Sequence, residues 1–206
     1  MSLNPEIIHP SRTAIIVVDV QNDFCHPEGA FKERNLDVSM VAEMMPNLHA
    51  LLGQAREHAV PIIFIQTLHE AATDSAAWTA RSGGKATRVC RPGTWGADFF
   101  EVSPREGDIV VAKHRYSAFI HTRLETVLRT LRTETLIITG VSTNVCVEST
   151  ARDGFMLDYH IVLASDSCAS YEKHLHEGTL ENIGRYFGTV ATTRDVIKVW
   201  EEASSE

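Results

Sequence analysis

Residues 136–151 read LIITGVSTNVCVESTA, and this stretch decides how the rest of the chain is read. The apolar, β-branched run at 136–138 suits a strand, Gly140 suits a turn, and Thr143 or Asn144 is placed to cap a helix that follows. Strand, tight turn and helix in immediate succession form half of a βαβ unit, the repeating piece of a parallel sheet. The same reading puts Cys146 in the first turn of the expected helix. There, unpaired backbone N–H groups and the positive end of the helix dipole favour thiolate over thiol and can hold an oxyanion. A catalytic nucleophile is presented in this way.

Working outward, strand-like apolar runs recur at residues 14–20, 62–66, 109–113, 136–139, 161–164 and 189–191. Helix-length amphipathic stretches separate most of them, at about residues 39–58, 121–131, 144–157 and 171–187, with a last one near 194–202. Continuous runs such as IIVVDV suit strands covered on both faces. The expectation is a doubly wound, Rossmann-like α/β fold: a mostly parallel six-stranded sheet with helices on both faces, in one domain over residues 1–206. The stretch from Thr67 to Gly107 is the least regular and reads as loop with short helices. A lid or binding loop and a solvated excursion are equally compatible with it.

Composition narrows the function. The 206 residues suffice for one domain burying roughly 70% of its extended surface. An apolar fraction of 44% and a charged fraction of 22% are ordinary for a globular protein, and no apolar run approaches a membrane span. The formal net charge of −8 argues against a nucleic-acid binder, which requires clustered Lys and Arg. The start, MSLNPEIIHPSR, has no basic region followed by an apolar one, so a cytoplasmic location is expected. Cysteines 25, 90, 146 and 168 have no CxxC spacing, which suits reduced thiols and neither a zinc ribbon nor a disulfide framework. Cys90 lies in an arginine-flanked polar stretch and Cys168 in an expected loop; both read as inert. Cys25 is a candidate pocket wall.

In doubly wound sheets the ligand crevice lies beyond the carboxyl ends of the strands. Asp19 ends the first expected strand, Lys113 the third, and Cys146 follows the fourth, so three strands bring reactive groups to one edge. Asp19 is suited to take the thiol proton and return it to a leaving nitrogen, with Lys113 orienting the carboxylate. Taken singly, Asp19 as a loop cap and Lys113 as a solvated strand end are equally good readings.

The strings IIVVDVQNDFC, GDIVVAKHRYSAF and TGVSTNVCVESTARDGF resemble the isochorismatase-like cysteine hydrolase family, over most of the chain. The resemblance implies a doubly wound sheet, an Asp19, Lys113, Cys146 triad, and a cis peptide between Val141 and Ser142 that brings the N–H groups of Ser142 and Cys146 to an oxyanion; no cofactor is expected. It also implies a small-molecule substrate and a homo-oligomer, dimer or tetramer. Cys146 argues against isochorismatase chemistry, whose vinyl ether needs no such nucleophile. Metal-dependent nicotinamidases use an Asp-x-His pair, and the corresponding IQTLHEAATD has only His69; no metal is expected. His174 and His176 in EKHLHEG are two apart, so on a helix they face away from each other and do not form a joint ligand pair.

Together, KHRYSAF, TNVCVESTARDGF and GRYFGTV look most like the ureidoacrylate and N-carbamoyl amide branch. The expected reaction is hydrolysis of a carbon–nitrogen bond in a small linear amide or ureide (ureidoacrylate-, biuret- or N-carbamoyl-type) through a thioester. The alternatives are a nicotinamidase-like amidase and an inactive binding module. Expected pocket residues are Phe24, Trp78, Tyr116, Phe119 and Thr143, with core packing equally good for Trp78 and Phe119. Arg115 either holds a substrate carboxylate or pairs with an acidic neighbour, the latter preferred. The segment ATDSAAWTARSGGKATRVCRPG does not match the branch residue by residue, so reaction type transfers better than substrate.

Overall fold

The computed structural model describes residues 3–81, 83 and 88–203. Six strands form one sheet: β1 (Thr13–Val18), β2 (Ile62–Thr67), β3 (Ile109–Lys113), β4 (Thr135–Val141), β5 (His160–Ala169) and β6 (Thr189–Ala191). Their order is β3-β2-β1-β4-β5-β6, and every neighbouring pair is parallel, so the expected sheet holds and, among the described residues, no antiparallel strand joins it. Strand order reverses beside β1. The carboxyl ends of β1 and β4 therefore border the switch point, where such sheets bind ligands.

Side-chain alternation along the strands sorts the core into two layers. Ile15 and Val17 of β1 point to one face, where α2 (Ser39–Glu57) and α7 (Thr193–Ala203) cover them with Leu48, Leu51, Val196 and Trp200. Ala14, Ile16 and Val18 point to the other, under α4 (Leu124–Leu131), α5 (Glu148–Met156) and α6 (Lys173–Tyr186). Two short helices, α1 (Asn22–Cys25) and α3 (Ala76–Arg81), lie in the connections after β1 and β2. No described helix is long and apolar enough to cross a membrane.

Several boundaries differ from the sequence reading, each for a local reason. β1 stops at Val18 and not at residue 20 because Asp19 takes a left-handed backbone (φ 53°). α4 begins at Leu124 and not at His121, whose own φ of 55° is incompatible with a helix. β5 continues through the polar SDSCA segment, so Cys168 is a buried strand residue and not a loop residue. After an irregularity opposite Ile138 and Gly140, Cys168 and Ala169 resume pairing with β4. The expected helix at 144–157 is divided into a π turn, Thr143–Val147, and α5. Of the irregular Thr67 to Gly107 stretch, residues 82 and 84–87 lie outside the described residues.

Candidate active site

The left-handed turn at Asp19 swings its side chain off β1 and over the carboxyl edge of the sheet, where it is buried. Lys113 is the last residue of β3 and equally buried, each side chain being 1% exposed. β4 passes through a cis peptide between Val141 and Ser142 into the π turn that holds Cys146. The three residues expected at one edge meet there.

Lys113 is the hub. Its Nζ lies 2.7 Å from Asp19 Oδ2 and 3.6 Å from Cys146 Sγ, and it donates to Thr67 Oγ1 at 2.8 Å and to the Arg115 carbonyl at 2.9 Å. The Thr67 hydroxyl in turn donates to Asp19 Oδ1 at 2.8 Å. Asp19 Oδ2 has no further hydrogen-bond partner among the described residues, which leaves that oxygen able to accept a proton from the thiol. Thr67 was missed in the sequence, although its place at the end of β2 is the signal that singled out Asp19 and Lys113. It is held by Gln21, whose Nε2 donates to the Thr67 carbonyl at 3.0 Å and whose Oε1 accepts from the Thr67 N–H at 2.7 Å.

The electrostatics correct one expectation. Burial pushes the Cys146 thiol up, and the Lys113 ammonium beside it pulls only part of the way back. The resting sulfur is a thiol, not a pre-formed thiolate. Nor does a helix terminus activate it: Cys146 sits in the π turn, with the Val145 and Val147 N–H groups spent on the Ser142 carbonyl at 3.0 and 3.2 Å. Neither expected cap operates. Thr143 Oγ1 is 2.9 Å from His176 Nδ1, and Asn144 Oδ1 accepts from the Ser142 and Ser170 hydroxyls at 2.7 Å each. Lys113 is drawn down by burial and up by Asp19 and Cys146, and the partners prevail, so it stays an ammonium.

These groups open into a cavity of about 300 Å³. Phe24, Trp78 and Tyr116 line it, as do Ser142 and Cys146. Phe119 and Thr143 do not. Phe119 is packed on the helical side against Gly154 and stacks on Tyr159 with ring centres 6.0 Å apart, while Thr143 is buried behind the turn against His176. Cys25 also faces core, 1% exposed, with burial pushing its thiol up. Cys90 and Cys168 are buried. Phe31 and Tyr171, which the sequence did not single out, form part of the wall with rings 5.0 Å apart.

His69 lines the cavity 5.3 Å from the Trp78 ring. Burial, aided by the Lys113 charge, lowers its pKa to about 4, so it is neutral at physiological pH. Among the described residues, no group of three or more His, Cys, Asp or Glu side chains is arranged to hold a metal ion, at His69 or at the EKHLHEG segment. There, His174 is exposed beside Glu172 while His176 turns inward to Thr143, two faces of α6 as expected. Arg115 pairs with no carboxylate among the described residues, against the preferred reading. Its Nη1 donates to the carbonyls of Thr73 (3.1 Å) and His114 (2.6 Å), and its guanidinium carbon lies 5.3 Å from the Trp78 ring centre.

Comparison with known proteins agrees with this architecture. The ureidoacrylate amidohydrolase RutB of Methylobacterium radiotolerans is 34% identical over 203 residues, covering 91% of this chain and 79% of that protein. The protein of the same name from Agrobacterium fabrum is 32% identical, over 97% of this chain and 95% of its own length. A crystal structure of a cysteine hydrolase from Pseudomonas syringae pv. phaseolicola 1448A superposes with a TM-score of 0.88 at 30% identity, covering 98% of this chain and 96% of the other. The isochorismatase domain model matches residues 13–195, nearly the whole chain, which therefore belongs to the isochorismatase family.

Proposed function

We propose that this protein is a cysteine amidohydrolase that cleaves a carbon–nitrogen bond of a small linear amide or ureide through a thioester. The observation that carries the reading is the buried Lys113 ammonium, 2.7 Å from the Asp19 carboxylate and 3.6 Å from Cys146 Sγ at the base of the cavity. As the sulfur attacks the carbonyl carbon, its proton passes to Asp19, so a thiol suffices and no standing thiolate is needed. Lys113 stabilises the negative charge shared between carboxylate and sulfur. Ser142 and Cys146 both line the cavity, and their backbone N–H groups are assigned to the developing oxyanion.

Asp19 then gives the proton to the departing nitrogen, and the carbon–nitrogen bond breaks. Water enters, loses a proton to Asp19 and attacks the thioester, which returns Cys146 as thiol and releases the acid. For a ureide that acid is a carbamic acid, which decomposes further. The family, and relatives named for ureidoacrylate hydrolysis, support this substrate class.

The test is ammonia release across ureidoacrylate, biuret, N-carbamoyl amino acids, nicotinamide and simple aliphatic amides. Turnover of at least one linear ureide or amide is expected, with Cys146→Ala lowering kcat by at least about 10³-fold and Asp19→Asn by a similar factor. Full activity in either variant would remove the assigned roles.

A further inference from the structure

The cavity has a charge pattern that the hydrolytic groups leave unused. Its lining includes Arg34, Arg81 and Arg115, and among the described residues none of them is ion-paired, although Glu172 also reaches the wall. Arg34 and Arg81 are exposed, so for them solvation is explanation enough. Arg115 is different. Four arginines of the described chain are half-buried, and three of these hold a carboxylate: Arg56 with Asp108 at 2.6 Å, Arg91 with Asp74 at 2.5 Å and Arg152 with Glu148 at 2.6 Å. Arg115, among the described residues, has as hydrogen-bond partners the carbonyls of Thr73 and His114 and no carboxylate. A cation drawn partly out of water without a counter-charge is a cost that an incoming anion would offset.

Its geometry suits that role. Nη1 is tied to the two carbonyls and the guanidinium rests against Trp78, which hold the group in place. Nε and Nη2 have no hydrogen-bond partner among the described residues and form the parallel pair of donors that matches a carboxylate. The Arg115 carbonyl also accepts from Lys113 Nζ at 2.9 Å, so the group that would hold the anion is coupled through two residues of chain to the reacting centre. The Lys113 charge is already balanced by Asp19. The cavity thus has a neutralised reactive end and a cationic end.

We propose that Arg115 is the specificity-determining residue of this cavity and binds the carboxylate of an anionic substrate, a small ureido or amido acid, with Arg81 and Arg34 reinforcing the local positive field. This rests on the amidohydrolase reading and selects within it: ureidoacrylate and N-carbamoyl amino acids are favoured, and biuret, nicotinamide and simple amides are not.

The experiment compares 3-ureidopropanoate with its methyl ester, the same ureide without the charge, in the wild type and in Arg115→Met and Arg115→Lys. Two readouts are taken: kcat/KM by ammonia release, and binding by calorimetry to the Cys146→Ala background. Thermal melting of each variant establishes that it is folded. The acid is expected to exceed the ester by about 10- to 100-fold in both readouts, Arg115→Met to remove most of that ratio, and Arg115→Lys to restore part of it. An ester that binds and reacts as well as the acid, or an acid-to-ester ratio unchanged in folded Arg115→Met, overturns the proposal. If the acid binds selectively through Arg115 but neither compound is hydrolysed, anion recognition stands and the amidohydrolase reading falls. Absence of selective binding together with absence of turnover overturns both.

Discussion

At the residue scale, the cysteines separate by surroundings more than by sequence context. Cys25, Cys90 and Cys168 are 1%, 0% and 3% exposed, whereas Cys146 is half-buried on the cavity wall. Limited iodoacetamide treatment at neutral pH is therefore expected to add one alkyl group, at Cys146, as read by peptide mass mapping. Equal modification of Cys90 or Cys168 in the folded protein would contradict this. His69 gives a second prediction. Its folded pKa of about 4 lies below the unfolded value of 6.5, so between these values the unfolded chain binds the proton and the native state does not. The native state accordingly loses stability as pH falls from 6.5 to about 4, by up to about 3 kcal/mol from this group. His69→Leu should flatten that part of the stability profile in urea titrations; an unchanged acid slope would count against a neutral buried imidazole.

At the scale of elements, the edge of β4 decides where the nucleophile stands. Gly140 has φ 103°, and a Cβ there would lie 2.1 Å from the Val18 carbonyl of β1. Only glycine lets the two strands pair side by side while β4 turns toward the cis peptide and the π turn. Gly140→Ala should cost about 3 kcal/mol or more in denaturant unfolding and lower kcat as well, since both strands deliver catalytic candidates. A variant of wild-type stability would mean that the close approach is not obligatory. The π turn is secured from its far side: Thr143 meets His176 of α6, and Glu148 of α5 accepts from Thr179 and Asn182 of α6 at 2.7 and 3.1 Å. None of this was legible in TNVCVEST. A helical turn and a π turn differ by a hydrogen-bond offset that depends on which tertiary partners take the side chains of Thr143 and Asn144.

For the whole molecule, the sheet joins the site to distant parts of the chain. Trp200 of α7 is fully buried in the layer opposite α4 to α6, and its indole N–H donates to the Ile8 carbonyl at 2.8 Å, tying the last helix to the segment before β1. Trp200→Ala removes the largest side chain of that layer and should cost about 3–5 kcal/mol, measured by chemical denaturation. Cys146 reactivity should survive in whatever fraction stays folded, because the cavity opens on the switch-point edge and not on that face. A specific loss of alkylation at Cys146 in folded protein would show tighter coupling between the layers than the architecture implies.

Strand and helix periodicity was readable because each apolar run reports local burial, and it determined the parallel sheet, the strand assignments and the convergence of Asp19, Lys113 and Cys146 on one edge. Residues whose role depends on which neighbour completes them were not readable. Thr67 looks like an ordinary strand end until Asp19 and Lys113 stand beside it, and Phe119 looks like a pocket aromatic until Tyr159 and Gly154 enclose it. Arg115 looks paired until no carboxylate among the described residues is found in salt-bridge contact with it, Asp74 beside Thr73 being held by Arg91. Hydrogen bonds, counter-charges and desolvation act over a few ångströms between residues far apart in the chain, so the fold class could be read from local pattern and the protonation and polarity of the site only from tertiary contact.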